Sequence, residues 1–292
     1  MTAMTCGQAL KSAATLRLDR LDAQLLLLHT LHRPDSDRAW LLAHDDDILD
    51  TGAAQAFQQC CIRRAAGEPL AYIVGQKEFF GLRLNVDARV LVPRPDTETL
   101  VQWALDIAPQ WALTEKLQVL DLGTGSGAIA LALAHAWRQA RREFTVHAID
   151  ASVDALAVAS ANASRLGLDV MFCEGSWLEK VSGHFHVIVS NPPYIADTDQ
   201  HLPALRHEPL GALAAGADGL EDIQAIIRQA PEHLYPGGWL LLEHGFDQSA
   251  NVHALLEERG FTQVQSRRDL AGINRCTGGQ WPGTATKAGT AG

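Results

Sequence analysis

The sequence predicts an α/β fold in which a mainly parallel sheet is covered by helices on both faces. A small helical domain is predicted to precede it in the sequence. Two observations support this prediction. From residue 117 onward, short apolar runs alternate with helical patterns, whereas residues 6–73 show helical spacing alone. Strands buried on both faces read as apolar runs, and strand–helix alternation implies crossovers that place helices over the sheet. The chain has 292 residues, enough for about two domains.

Residues 1–75 are predicted to be a helical domain. Apolar side chains recur there at the spacing of one helix face. An imperfect stripe of this kind consists of Leu16, Leu18, Leu21, Leu25 and Leu28. Thr51 is the expected N-cap of a further helix, and Gly67 is its expected end. Residues 76–95 are predicted to be a hairpin and linker, with Gly81 in the turn.

Residues 96–280 are predicted to form the α/β domain. Its strands are expected at residues 119–120, 144–149, 170–173, 185–189, 239–242 and 261–264. Its helices are expected at residues 129–137, 153–166, 222–234 and 249–259. Residues 281–292 are expected to be a disordered tail because residues 283–292 lack large apolar side chains. The tripeptide Gly278-Gly279-Gln280 is assigned to the same loose end of the chain.

The composition is that of an ordinary globular protein, with 47% hydrophobic and 20% charged residues and a net charge of -10. Broad nucleic-acid binding requires clustered Lys and Arg, so this charge argues against a direct nucleic-acid partner. The five cysteines show no C-x-x-C spacing, and neither a disulfide framework nor a metal site is expected. No apolar run reaches the length of a membrane span, so a cytoplasmic location without a membrane partner is expected.

A polar segment, Ser190-Asn191-Pro192-Pro193-Tyr194, follows an apolar run and carries the most specific chemistry in the chain. Proline has no N–H, so the backbone carbonyls of this segment remain as acceptors. The Asn191 side chain adds another acceptor, and Tyr194 adds a flat apolar wall. Such a clamp can hold a planar NH₂ group, which predicts a reaction on an amide or amino nitrogen. Asn191, Pro192 and Tyr194 are the catalytic candidates, and Pro193 joins them as a substrate-binding candidate.

A glycine-rich loop joins the first core strand to the next helix. Its central residues are Gly123, Thr124, Gly125, Ser126 and Gly127. Glycines allow a sharp turn and leave room for a ligand against the backbone. Gly123, Gly125 and Ala128 also satisfy the G-x-G-x-x-G/A pattern of nicotinamide cofactor sites, a spacing that is unspecific by itself. Asp121 before the loop and Gly127 within it favour the loop of S-adenosylmethionine (SAM) enzymes.

Two further residues follow the next strands and complete the predicted cofactor site. Asp150 ends the second core strand, where ligands of such folds bind and where a carboxylate can accept from both ribose hydroxyls. Its alternative role is an N-cap for the helix that follows, although Ser152 suits that position better. Trp177 follows the third strand and is assigned to the adenine ring, with core packing as the alternative.

With the glycine loop, Asp150 and Asn-Pro-Pro-Tyr in this order, the sequence resembles the class I SAM-dependent methyltransferases. More narrowly, it resembles the release factor glutamine methyltransferases (the HemK/PrmC family). Four stretches carry the resemblance, at residues 91–98, 121–127, 190–195 and 241–245. The first, Leu-Val-Pro-Arg-Pro-Asp-Thr-Glu, is the most discriminating, because Asn-Pro-Pro-Tyr is shared with adenine-N6 and other amino methyltransferases.

The resemblance implies a Rossmann-like, seven-stranded methyltransferase domain that uses SAM as its cofactor. The implied reaction is methyl transfer to the side-chain nitrogen (N5) of the glutamine in the Gly-Gly-Gln motif of class I peptide chain release factors. By match to the family, residues 123–127, Asp150, Trp177 and Asn191 would contact the cofactor or line its pocket. Residues 1–75 would recognise the protein partner, and a monomer is expected.

The sequence departs from the family pattern at two positions. Ser176 stands before Trp177, where the family usually has an acidic residue, and His207 takes the aromatic place in an Arg-Phe-Glu-Pro pattern. A histidine can still stack there. In the first stretch, Asp96 is the expected N-cap of the next helix. Arg94 is interpreted either as an anchor between the two domains or as a solvated side chain.

Three alternative functions share part of this pattern. An adenine-N6 methyltransferase acting on DNA or RNA has the same clamp, but it usually needs a basic surface that a net charge of -10 does not suggest. A non-catalytic SAM-binding scaffold would not need the intact Asn-Pro-Pro-Tyr segment. A nicotinamide oxidoreductase is permitted by the glycine spacing alone.

Overall fold

The computed structural model describes residues 4–112 and 114–283. The chain folds as two compact units, Met1–Gln76 and Lys77–Gly292. Within the described residues, no helix is long and apolar enough to cross a membrane. The same residues contain no group of three or more His, Cys, Asp or Glu side chains placed to hold a metal ion.

The first unit is built from short helices around its own apolar core. The helices are α1 (Cys6–Thr15), α2 (Arg20–Thr30), α3 (Arg38–Ala43), α4 (Thr51–Ala65) and α5 (Leu70–Val74). Its most buried large side chains are Leu26, Leu27, Leu28, Leu41 and Phe57. The predicted N-cap of α4 was wrong by one residue: Asp50, rather than Thr51, accepts the hydrogen bond from the Ala53 N–H at 2.8 Å. An aspartate carboxylate is a strong acceptor for an unpaired N–H in a first helical turn.

A β-hairpin follows, formed by β1 (Gln76–Phe79) and β2 (Leu82–Asn85). Its two turn residues, Phe80 and Gly81, have φ values of 49° and 78°. Positive φ at both central positions is the requirement of the tight turns that match the twist of a hairpin. The prediction of a hairpin with Gly81 in its turn is therefore confirmed.

The rest of the second unit is a seven-stranded sheet with helices on both faces. The strands are β3 (Leu117–Leu122), β4 (Phe144–Asp150), β5 (Met171–Glu174), β6 (Phe185–Ser190), β7 (Leu234–Glu243), β8 (Thr262–Arg268) and β9 (Asn274–Gln280). The helices are α6 (Glu98–Ile107), α7 (Ala128–Gln139), α8 (Val153–Leu166), α9 (Glu221–Gln229) and α10 (Ser249–Arg259). The strand order is β5-β4-β3-β6-β7-β9-β8, and β9 is antiparallel to both of its neighbours. The predicted α/β fold class is confirmed.

Two apolar clusters lie on opposite faces of this sheet. Along β3, Val119 packs into a cluster with Trp103 of α6 and the alanine-rich α7. Leu120, the next residue, packs into a second cluster with Ile223 of α9. Side chains alternate between the faces of a strand, so two apolar neighbours in sequence require cover on both sides.

The assignment of Gly278-Gly279-Gln280 to a loose tail was wrong, because these residues lie in β9 between β7 and β8. A Cβ at position 278 would lie 2.6 Å from the Leu241 side chain and 2.7 Å from the Leu240 carbonyl oxygen. Only glycine allows such a close approach between strands. Trp281 continues the pairing, since its N–H donates to the Gly238 carbonyl at 2.7 Å. Residues 284–292 of the expected disordered tail lie outside the described residues.

Candidate active site

The predicted site residues lie at the carboxyl ends of neighbouring strands. β3 pairs in parallel with β4 on one side and with β6 on the other. The glycine loop leaves the end of β3, Asp150 ends β4, and Asn191 follows the end of β6. In open α/β sheets, this edge is where ligands bind.

The glycines of the loop serve two different purposes. Gly123, Gly125 and Gly127 have φ values of 70°, 55° and 83°, which favour glycine. A Cβ on Gly127 would crowd the Leu131 side chain at 2.9 Å and the Ala159 Cβ at 3.3 Å, so glycine is favoured where the loop enters α7. A Cβ on Gly125 would meet no atom within 4 Å. Gly125 therefore borders open space that a ligand can occupy.

The buried Asp121 carboxyl group stabilises the glycine loop. Its Oδ2 accepts hydrogen bonds from the Thr124 hydroxyl at 2.7 Å and from the Ala130 N–H at 3.2 Å. Its Oδ1 has no hydrogen-bond partner among the described residues, and burial raises the pKa of this carboxyl to about 7. The carboxyl group is thus divided between the neutral and charged forms near neutral pH.

Asp150 and Trp177 flank the open side of the loop. The Asp150 carboxylate accepts from the Gly125 N–H at 2.8 Å and from the Ser152 N–H at 2.9 Å. Ser152 is the N-cap of α8, so Asp150 does not take that alternative role. Trp177 is half-buried, donates its indole N–H to Asp222 at 3.0 Å and lies close to Gly123. Each Asp150 oxygen keeps a lone pair for a ligand hydroxyl.

Two cavities meet at Asn191. The larger, about 470 Å³, is lined by Gly123, Gly125, Asp150, Ser176, Trp177, Asn191 and Pro193, among others. The smaller, about 330 Å³, is lined by Leu91, Arg94, Asn191, Pro192, Tyr194 and Ile195, among others. Five of the eight cofactor candidates thus border one space, and three of the four clamp residues border the other. Thr124, Ser126 and Gly127 are buried within the loop and do not line this cavity, so their contact with a cofactor stays a prediction.

The Asn191 side chain is held by its nitrogen. Its Nδ2 donates to the Thr97 hydroxyl at 3.2 Å, which leaves Oδ1 as an acceptor. The preceding Ser190 donates its hydroxyl to the Leu122 carbonyl at 2.8 Å and fixes the end of β6 against β3. After the clamp, the Tyr194 carbonyl accepts from the Gln248 side chain at 3.1 Å. Both ends of the clamp are therefore fixed to the sheet domain.

Two interpretations of the first family stretch were wrong. Arg94 pairs with the buried Glu208 of its own unit at 2.5 Å, so it is not a free solvated side chain, and its role as an anchor between the domains stays a prediction. Asp96 caps no helix: the chain enters α6 through a 3₁₀ turn, and Asp96 lies 3.4 Å from Arg275. Both partners are more than 100 positions away, so local sequence carries no signal for them.

Family models match the chain in two places, as "PrmC N-terminal domain" at residues 5–75 and as "Methyltransferase small domain" at residues 105–208. The release factor glutamine methyltransferase of Xylella fastidiosa (strain Temecula1) is 48% identical over 279 residues, covering 94% of this chain and 98% of that protein. The chain belongs to the release factor glutamine methyltransferase family. The protein of that name from Coxiella burnetii is 46% identical over 258 residues, covering 88% of this chain and 90% of its own length.

Solved structures share the fold of this release factor glutamine methyltransferase family member at much lower identity. The hMettl16 catalytic domain, in complex with the MAT2A 3′UTR hairpin 6, matches with a TM-score of 0.55 and 17% identity. The match covers 80% of this chain and 81% of that one. At such identity the likeness concerns the methyltransferase fold alone.

Sequence reasoning missed two residues that this family member places beside the clamp, Thr97 and Glu243. Both are buried, and the Tyr194 hydroxyl lies 3.4 Å from Glu243 Oε1. Burial raises the pKa of Glu243 to about 7, although the positive charge of Arg275 opposes the shift. The available signal was a carboxylate at the end of the apolar strand β7, within the 241–245 stretch that carries the family resemblance.

Proposed function

We propose that this chain transfers a methyl group from SAM to the side-chain amide nitrogen (N5) of the glutamine in the Gly-Gly-Gln motif of class I peptide chain release factors. The observation that carries the proposal is the position of Asn191 in the wall of both cavities. The Asn191 side-chain nitrogen donates to Thr97, so the side-chain oxygen is available to accept a hydrogen bond from the substrate that receives the methyl group. Family membership supports the same reaction.

The residues around the larger cavity fit SAM. Gly125 leaves room for a ligand against the backbone, Asp150 offers carboxylate oxygens to ribose hydroxyls, and Trp177 offers an aromatic face to adenine. A cavity of about 470 Å³ is of ligand size. When bound, SAM supplies an electrophilic methyl group on a sulfonium sulfur, and transfer leaves a neutral thioether, an N-methyl amide and one released proton.

The role of the clamp is to position a weak nucleophile. An amide nitrogen is a poor nucleophile because its lone pair is delocalised into the carbonyl group. The Asn191 side-chain oxygen and the Pro192 carbonyl would accept the two N–H groups of the glutamine and direct its nitrogen at the methyl carbon. Such positioning can contribute roughly 7–11 kcal/mol. Positive charge that develops at nitrogen strengthens both hydrogen bonds in the transition state.

Tyr194 would close the acceptor cavity, and Pro193 would separate it from the cofactor. No general base is assigned: the N–H acidity rises once the nitrogen–carbon bond forms, and the proton leaves after transfer. The clamp therefore supplies orientation and charge stabilisation rather than proton abstraction.

The remaining parts of the proposal concern organisation and partners. We assign residues 1–75 to partner recognition, residues 76–95 to the hairpin and linker, and residues 96–280 to catalysis. The protein is proposed to act as a cytoplasmic monomer on a protein substrate, without direct nucleic-acid binding. Its net charge of -10 supports the last point, because phosphate contacts require clustered cations.

Mass spectrometry tests the function. A class I release factor is incubated with the enzyme and SAM, digested and fragmented. We expect the mass of one added CH₂ on the glutamine of Gly-Gly-Gln, and no addition to a factor whose glutamine is replaced by glutamate. An unmodified factor, together with labelled methyl incorporated into adenine of DNA or RNA, would favour the adenine-N6 alternative instead.

A further inference from the structure

Asn162 of α8 is a fully buried polar residue that lines neither cavity. Its Oδ1 accepts a hydrogen bond from the Asn85 N–H at 2.8 Å. Its Nδ2 donates to the carbonyl oxygens of Asn85 and Ser126, both at 3.0 Å. Asn85 lies 77 positions from Asn162 and Ser126 lies 36 positions from it. One amide group thus links α8 to two distant segments of the chain.

The three hydrogen bonds are compatible with only one orientation of the Asn162 amide. The Asn85 N–H needs an acceptor and the two carbonyl oxygens need donors, so the amide oxygen faces the former and the NH₂ group the latter. Pairing with both the N–H and the C=O of one residue is what an antiparallel strand would offer to Asn85. Loss of the amide would leave three buried backbone groups without these partners, which is costly.

The two linked segments both contribute to the wall of the larger cavity. Ser126 belongs to the glycine loop and follows Gly125, which lines this cavity. Asn85 ends β2, and the chain that follows it supplies residues 89–91 to the same wall. Leu91 lines the smaller cavity as well. Asn162 therefore fixes the glycine loop and the start of the 86–91 segment to the same helix.

The 86–91 segment is also held at its other end and along its length. The Val92 N–H donates to the buried Glu208 at 3.0 Å. The side chains of Val86 and Val90 are 3% and 1% exposed. A short segment anchored at both ends has little freedom, so the position of residues 89–91 depends on the anchor at Asn85.

We propose that Asn162 is a positioning residue for SAM, which acts through Asn85 and Ser126 to hold two parts of the cofactor cavity at a fixed separation. The inference rests on the placement of SAM in the larger cavity, which is part of the proposed function. Binding sites lose affinity when their walls move by more than about 0.5 Å, and buried hydrogen bonds behind the wall prevent such movement.

Two variants of Asn162 test the proposal. Asn162→Leu has a similar shape and removes all three hydrogen bonds. We expect the Kd for SAM, measured by calorimetry, and the KM for SAM to rise roughly tenfold or more. The value of kcat at saturating SAM should stay within about threefold of wild type, because the clamp is unchanged. Asn162→Asp is the milder variant, since it keeps the acceptor for Asn85, and its Kd should rise roughly threefold or more.

Thr277→Val is the matched control. It removes a fully buried hydroxyl group that lies 2.8 Å from His244 Nε2 and 2.8 Å from Ser266 Oγ, and Thr277 lines neither cavity. We expect this variant to lower Tm while the Kd for SAM stays within about twofold of wild type. If the Asn162 variants likewise lowered Tm and left the Kd for SAM unchanged, the role of Asn162 would be purely structural and the proposal would be overturned.

Failure of the proposed function gives a different result. Calorimetry with SAM requires no release factor, so a wild-type protein that binds SAM but leaves the factor unmethylated contradicts only the assigned acceptor, and the Kd values still decide the role of Asn162. If SAM bound outside the larger cavity, Gly125→Ala would leave the Kd unchanged, and this result would overturn both the SAM placement and the role of Asn162. A weaker Kd in Gly125→Ala with a wild-type Kd in Asn162→Leu would overturn the role of Asn162 alone.

Discussion

Glu208 binds Arg94 across 114 positions of sequence, with 2.5 Å between the carboxylate and the guanidinium group. Its second oxygen accepts the Val92 N–H at 3.0 Å. The Glu208 side chain is 3% exposed, so two charge-assisted hydrogen bonds hold a buried carboxylate. Because Leu91 and Arg94 line the smaller cavity with Asn191, this contact shapes the acceptor side of the site.

Glu208→Ala should loosen that wall. We expect a decrease of about 1–3 kcal/mol in the free energy of unfolding, because Val92 N–H and Arg94 lose a buried acceptor. The KM for release factor should rise roughly tenfold as the cavity wall becomes mobile. Asp106→Asn, at the exposed Arg267–Asp106 pair, is the control and should change stability by less than about 0.5 kcal/mol. Wild-type stability and KM in Glu208→Ala would contradict the assignment.

Asn191→Ala should separate catalysis from cofactor binding. Removal of a hydrogen-bonding group that stabilises the transition state lowers kcat by at least roughly 10²–10³-fold. The Kd for SAM should stay within about tenfold, because Asp150 and Trp177 remain on the cavity wall. Single-turnover methylation and calorimetry measure the two quantities. Substantial residual turnover in this variant is incompatible with the clamp.

Gly125→Ala and Gly167→Ala form a matched pair. The two glycines have similar φ values of 55° and 61°, and a Cβ on either meets no atom within 4 Å. Both substitutions should therefore destabilise the fold similarly, by about 1–2 kcal/mol. Only Gly125 lines the larger cavity, so only Gly125→Ala should weaken SAM binding, by roughly tenfold or more. Equal SAM affinity in the two variants would show that the cofactor does not approach Gly125.

Asp121 should make stability depend on pH. Burial raises its folded pKa from 3.8 to about 7, so between these values the folded state binds more protons than the unfolded state. The contribution of this group to the free energy of unfolding therefore decreases as pH rises through that window, by at most about 1.4 kcal/mol per pH unit. Asp121→Asn removes the effect, so its stability relative to wild type should increase with pH in urea titrations.

Asp106→Asn is the control for the pH series. Burial would raise the pKa of Asp106, but hydrogen bonds from Arg267 and Gln102 outweigh it and lower the pKa below 3.8. Its contribution to stability changes only below that value, so the variant and wild type should differ by a constant amount between about pH 5 and about pH 8. A constant difference for Asp121→Asn as well would refute the raised pKa.

Gln280 should not be methylated by its own chain, although it ends a Gly-Gly-Gln tripeptide. Its backbone pairs with Trp239 and Thr262, and its side chain donates to the Gly237 carbonyl at 2.9 Å. Release of these contacts would cost several hydrogen bonds. Intact-mass measurement after incubation with SAM alone should show an unchanged mass, and an added CH₂ on Gln280 would contradict this prediction.

The elements with strong local signals were predictable from the sequence. α8 was expected at residues 153–166 and lies at Val153–Leu166, because Ser152 caps its start and Gly167 turns away with a φ of 61°. α10 likewise lies at Ser249–Arg259 as expected. In these segments periodicity, start signal and stop signal agree.

β9 was not predictable, because its glycines weaken any strand pattern and are explained only by residues outside β9, namely Leu240 and Leu241 at Gly278 and Phe261 at Gly279. The same limit applies to the site. The predicted site residues that line the cavities stand in recognisable motifs, whereas Thr97 meets Asn191 and Glu243 meets Tyr194 only once the sheet has formed. Hydrogen bonds between distant positions leave no local pattern in one sequence.

The shared position of Asn191 restricts how this enzyme can change during evolution. A substitution at Asn191 alters the cavity of the methyl donor and the cavity of the acceptor together, so a change at this position cannot modify the specificity of one cavity alone. Tyr194 and Ile195 border only the acceptor side. New acceptor specificities would therefore arise first at positions that border only the acceptor side, these two among them, with the asparagine left unchanged.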